Sequence, residues 1–234
     1  MIVVPSTNET VTDVTVESVF VGTPVNLGTH GGERVVSSIG KRSVAASTVD
    51  VVHHNIVGDE QADLKFHGGR DKGVYIYPAE HYAAWQADGY DLNPGDVGEN
   101  IAVRGLTEQE VHVGDQWQWG DVILEVTQPR EPCYKLGMRV GTNTIIADMI
   151  ETGRCGWYAR IISPGSAPTH GALTLLRSNP DQVTIADLFA IICRNGRGFT
   201  TAEIRSVLNA DDLAPSARGG VLKALKSAER RESR

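Results

Sequence analysis

From Val11 to Arg177 the apolar residues arrive in short β-branched or aromatic bursts: VTVESVFVGTPVNL, ERVVSSIGKR, VDVVHHNIVG, GVYIYP, ENIAV, VHVGDQWQWGD, VILEVTQP, YARIISPG and ALTLLRS. Gly, Pro, Asn or Asp separates most of them, which is the pattern of short strands joined by turns. A series of such strands predicts a closed or nearly closed antiparallel barrel, because closure removes unpaired sheet edges. Val122 to Thr127 alternates only imperfectly and is expected to be buried on both faces.

Two helical patterns interrupt the strands. In PAEHYAAWQAD, Pro78 suits a first helical turn, and Tyr82 and Trp85 fall on one face. A second helix is expected around IIADMIETG, ending at Gly153. After Asn179 the period changes for good. VTIADLFAIICRN reads as a helix with Thr184 as N-cap, and TTAEIRSVL carries a capping-box pattern from Thr200 to Glu203. APSARGGVLKALKSAERR is a third helical stretch, weakened near its start by Gly219 and Gly220. The expected fold is mainly β with some α: an antiparallel β-barrel over residues 1–178 and a small three-helix bundle over residues 179–234.

Composition narrows the function classes. An apolar fraction of 41% supports a real core. A net charge of -7 argues against general affinity for nucleic acid or anionic membrane. No apolar run approaches the roughly 18 residues that span a bilayer, and MIVVPSTNET lacks the charged and apolar regions of an export signal. Cys133, Cys155 and Cys193 contain no CxxC pair, so a disulfide framework or structural zinc site is not expected and a reducing cytoplasm fits best. From Ala214 onward six Lys/Arg face two Glu, read as a solvated terminus rather than a docking surface.

Three segments carry candidate chemistry. In QPREPCYKLG, Cys133 lies between Arg130 and Lys135, and nearby cations favour a thiolate. Pro129 and Pro132 stiffen the segment and remove backbone donors. Such a loop suits a metal or a phosphate-bearing ligand, and it equally suits a buried cysteine with solvated charges beside it. Cys155 and Cys193 read as packing residues, and His53 and His54 as structural. In ADLKFHGGRDKGVYIY, His67 precedes two glycines, with Lys65, Arg70 and Lys72 close by. That cluster suits an anion, with His67 able to transfer protons near neutrality, although a tight Gly-Gly turn with ordinary surface charges accounts for it slightly better on the residues alone; Asp59, Glu60 and Asp63 stand near enough to neutralise part of it. In GDVGENIAV, the Glu99-Asn100 pair opens a strand, where an amide can read a ligand. P-loop, GxGxxG, GxSxG and HExxH motifs are all missing.

In order, GDEQADLKFHGGRDKGVYIYP, GDVGENIAVRGLTE, VGDQWQWGDVILEVTQPREPCYKLG and TGRCGWYARI resemble the MOSC domain family. The branch most similar is the bacterial one associated with resistance to 6-hydroxylaminopurine, whose members carry a C-terminal three-helix domain. The resemblance implies a β-barrel holding a molybdenum cofactor, with Cys133 as metal ligand. By the same resemblance Arg130 grips the cofactor's phosphate or pterin, His67 transfers protons or binds the cofactor, and Asn100 and Lys72 are further contacts. It implies two-electron reduction of N-hydroxylated compounds. The electrons would come from a separate, flavin-containing protein, because the chain shows no iron–sulfur or flavin motif. One departure is ISPGSAPTHGALTLL, where relatives carry a Gly-Asp turn, so pairing or rim is expected to differ there. A sulfur or cofactor carrier using Cys133 is the second reading, and a cofactor-free binding module the third.

Overall fold

The computed structural model describes residues 14–62 and 68–233, so the strand texture read from Val11 begins outside the described residues. The described strands are β1 (Thr15–Val21), β2 (Val25–His30), β3 (Glu33–Ser37), β4 (Arg42–Ser43), β5 (Thr48–Val51), β6 (Val74–Pro78), β7 (Ile101–Arg104) and β8 (Gln116–Trp119). They continue with β9 (Val122–Pro129), β10 (Trp157–Ser163), β11 (Gly165–Pro168), β12 (Gly171–Ala172) and β13 (Thr174–Arg177). The helices are α1 (Glu80–Ala87), α2 (Tyr134–Val140), α3 (Thr144–Thr152), α4 (Ile185–Cys193), α5 (Thr201–Val207) and α6 (Pro215–Glu232), and Arg70–Lys72 makes a 3-10 turn.

The expected barrel is a curled sheet in the order β12-β1-β7-β6-β10-β9-β8-β13, with β4 added to β1. Its two ends, β12 and β13, are consecutive pieces of one segment on either side of Leu173, so that segment joins the sheet end to end. One described pair departs from the antiparallel expectation: β6 and β7 run parallel, with Ile76 opposite Ile101. A parallel pair needs a long crossover, and α1 with the loop after it supplies one. The divergent ISPGSAPTHGALTLL segment forms β11, which pairs with β5 outside the main sheet, and then β12 and β13.

The long strand β9 is buried almost throughout, as its poor alternation implied, because α4 packs against it. The apolar cluster is continuous from barrel residues such as Val126 and Trp157 to Leu188 and Phe189 of α4 and Val221 of α6. Both expected caps form. The Thr184 hydroxyl accepts from the Asp187 amide, and Thr200 and Glu203 make a reciprocal capping box. Gly220, costly for helix propensity, has a packing role: a Cβ there would meet Ile192 at 3.0 Å, so the glycine lets α6 approach α4. Helix α2 was not anticipated. It starts immediately after Cys133 and stops at Gly141, which takes the left-handed conformation at φ 85°.

Candidate functional site

Strand β9 pairs with β10 up to Pro129, opposite Trp157, and the Arg130 amide then donates to the Gly156 carbonyl at 3.2 Å. Beyond that bond the chain leaves the sheet and enters α2 with Cys133 as its extended N-cap residue. Arg130 is only 5% exposed. Its Nη1 lies 4.0 Å from the Met149 sulfur and its guanidinium 5.9 Å from the centre of the Tyr75 ring. Among the described residues no carboxylate stands within ion-pair distance of it. Burial opposes the Arg130 charge, but Tyr75 and Cys133 favour it, and the group titrates above its ordinary value.

Arg130, Cys133, Asn100 and Lys72 line one cleft of about 630 Å³, with open solvent at its mouth included. Four of the five residues singled out in the sequence therefore come together. The fifth, His67, lies outside the described residues, as do Lys65 and Asp63. Cys133 is half-buried there and forms no disulfide. Lys72 leaves the 3-10 turn with its ammonium 5.7 Å from the centre of the Tyr158 ring. Burial lowers its pKa, against the attraction of Glu131 and Asp71.

The cleft also includes residues that the sequence did not mark: Lys41, Tyr75 and Tyr158. Asp59, expected to offset the charge of the HGG segment, instead pairs with Lys41, whose Nζ is 2.9 Å from both carboxylate oxygens. The Gly22 amide (2.8 Å) and the Asn100 side-chain amide (2.9 Å) also donate to Asp59. Asn100 donates in addition to the Phe20 carbonyl at 3.3 Å and accepts from the Tyr75 amide at 3.1 Å. Its amide thus ties β1, β6 and Asp59 together, and it touches the cleft as part of a braced wall. Burial lowers the Lys41 pKa, opposed by Asp59. The only sequence signal for this pair was a lysine in a loop after β3, which carries no motif of its own.

Behind Asn100, Glu99 points into the core and is fully buried. One of its oxygens accepts from the Tyr82 hydroxyl and from the Gly95 amide at 2.5 Å, and the other has no partner among the described residues. Gly98 before it is obligatory: its φ is 89°, and a Cβ would meet Ile39 at 2.9 Å.

The other two thiols are chemically quiet. Cys155 is fully buried, which raises its pKa well above the usual thiol value. Cys193 is half-buried and pushed up to about 12, chiefly by burial. Neither lines the cleft. His53 and His54, read as structural, are solvent-exposed.

This arrangement fits an anionic chelate bearing a soft metal. A thiolate is a soft ligand, and a buried guanidinium offers a planar fork to phosphate or pterin oxygens. Among the described residues no group of three or more His, Cys, Asp or Glu could hold a metal ion. A metal placed at Cys133 would take most of its ligands from an organic partner, which is what a pterin dithiolene provides.

Residues 63–174 match the family model described as MOSC domain. The chain is 33% identical over 207 residues to the uncharacterized protein YflK of Bacillus subtilis (strain 168), covering 88% of this chain and 92% of that protein. It is 40% identical over 140 residues to protein YiiM of Escherichia coli (strain K12), 57% of this chain and 61% of YiiM. A protein named as a reductase from Gibberella moniliformis is 35% identical over 128 residues, which is 52% of this chain but 22% of the reductase. Among solved structures, YiiM from Geobacillus stearothermophilus superposes with a TM-score of 0.74 at 28% identity, covering 91% of this chain and 99% of that one.

Proposed function

The chain belongs to the MOSC domain family, and we propose that it is a molybdenum-cofactor-dependent reductase of N-hydroxylated compounds. The observation that carries this reading is the buried Arg130 guanidinium, with no carboxylate partner among the described residues, lining the same cleft as the Cys133 thiol. A buried cation without a counter-ion is costly unless a ligand supplies the opposite charge. The segment shared with a reductase supports the reaction class.

When bound, the cofactor supplies two-electron redox chemistry at its metal. The overall change is R-NHOH plus two electrons and two protons giving R-NH2 and water. Cys133 is the metal ligand. Arg130 and Lys72 hold the anionic part of the cofactor, and Asn100 keeps the opposite wall in register. His67, in HGG, is the proposed proton carrier. A separate flavin-containing protein donates the electrons. Among the described residues no helix is long and apolar enough to cross a membrane, and the reducing cytoplasm is the proposed location, where a thiol ligand stays reduced.

Elemental analysis tests this directly. Protein made in a cofactor-competent host is expected to contain molybdenum, and Cys133→Ala to lose both metal and reduction of a hydroxylamine substrate. Metal-free wild-type protein, with a persulfide at Cys133 seen by mass spectrometry, would replace the enzyme with a sulfur carrier.

A further inference from the structure

Within QPREPC, Gln128 has no role in the cleft: it is 3% exposed and does not line it. Its side-chain carbonyl accepts from the hydroxyl of Ser216, on the first turn of α6. Next to it, the Thr127 carbonyl accepts from the Ala214 amide at 3.4 Å. The segment leading into α6 is packed hard against the barrel, with Ala210, Leu213 and Ala214 buried. We propose that the C-terminal helices clamp the cysteine-bearing loop, with Gln128 and Arg160 as positioning residues for Arg130, Cys133 and Lys72. The proposal rests on the reading that this cleft receives the cofactor.

Two observations extend the clamp beyond β9. Arg160 of β10 donates to the Asp212 carbonyl at 2.7 Å, just before α6, while its Nε stands 3.0 Å from the carboxylate of Asp71. Asp71 precedes Lys72, and its carbonyl accepts from the Thr127 hydroxyl at 2.7 Å. Around Thr127 the cysteine strand, the Lys72 turn, β10 and the lead-in to α6 therefore meet. The charges of Lys72 and of Lys223 on α6 both favour the ionised form of Glu131, the exposed loop residue after Arg130. The loop needs such outside support because Pro129 and Pro132 have no N–H to give to a ladder. The helical domain thereby becomes part of the site's scaffold.

The test uses the full-length chain carrying Ser216→Ala with Lys223→Glu, two changes at the protein surface. Backbone hydrogen exchange is followed at the amides of Arg130, Glu131 and Cys133, with β1 and β7 as internal references. The clamp predicts exchange roughly tenfold faster in the loop with the reference strands unchanged, and recovery with Ser216→Thr and Lys223→Arg. Molybdenum per chain is expected to fall in parallel in protein from a cofactor-competent host. Unchanged exchange in the loop overturns the proposal, and so does equal loosening of β1 and β7. Wild-type protein without molybdenum counts against the cofactor reading, and the exchange result then decides the clamp alone.

Discussion

The two walls of the cleft hold similar side chains and use them in opposite ways. On one wall, Lys41 gives two contacts to Asp59, and Asp59 takes further hydrogen bonds from Gly22 and Asn100. That charge is answered within the fold. On the other wall, Arg130 is more deeply buried than Lys41 and meets a ring, a thioether and a thiol-bearing loop, with no carboxylate among the described residues. Counting cations around a cleft would rate the walls alike. Following each charge to its partner separates a structural pair from the group proposed above to meet a ligand.

The contrast can be broken most sharply at Asp59. Asp59→Asn leaves the Lys41 ammonium buried without its counter-ion, and a loss of roughly 3–5 kcal/mol is expected, read as a fall in the urea midpoint. If the pair serves the fold alone, Lys41→Met with Asp59→Leu should recover most of that stability, because replacing both charges by apolar groups of similar size is often neutral. Failure of the double variant to recover would give this wall a role beyond scaffolding. Arg130→Met should show the reverse pattern, with a smaller effect that falls on the ligand. No buried acid is left behind, so the urea midpoint should barely move. Molybdenum retained per chain should drop by roughly 10–100-fold, the loss of about 1.5–3 kcal/mol of charge-assisted hydrogen bonding. Equal destabilisation by Asp59→Asn and Arg130→Met would erase the distinction between the walls.

How much of this was legible in the sequence depended on the range of each interaction. The strands, the caps at Thr184 and Thr200 and the burial of β9 follow from local pattern, and they stand in the fold as read. Arg130 and Cys133 were marked because their own motif is compact and unusual. The partner of Asp59 was misjudged, since sequence proximity pointed to the HGG cations, whereas Lys41 reaches it across 18 positions. The role of Asn100 shifted for the same reason: its bonds go to Phe20, Tyr75 and Asp59, none of them a local neighbour. Helix α2 escaped because Pro132 stands just before it and Gly137 within it, both residues of low helix propensity. A Cβ at Gly137 would clash with the Asn143 side chain, a packing reason for that glycine which no local rule contains.

The finest comparison lies within the braced wall, between Asp59 and Glu99. Asp59 has donors on both oxygens, whereas Glu99 keeps one oxygen without a partner among the described residues. Burial holds the Glu99 carboxyl above its ordinary value of 4.5, against the hydrogen bonds from Tyr82 and Gly95. A carboxyl raised in the folded state binds its proton more tightly there than in the unfolded chain. Its contribution to stability is whole below the unfolded value and is lost as pH rises through the folded value. Glu99→Gln keeps an acceptor for Tyr82 and Gly95 and cannot ionise. From pH 4.5 upward, the urea midpoint of the wild type should therefore decline relative to that of Glu99→Gln, and the gap should level off once the carboxyl is ionised. A gap that stays constant across this range would mean that Glu99 titrates alike in both states, and its partnerless oxygen would then mark a contact to be sought rather than a stored proton.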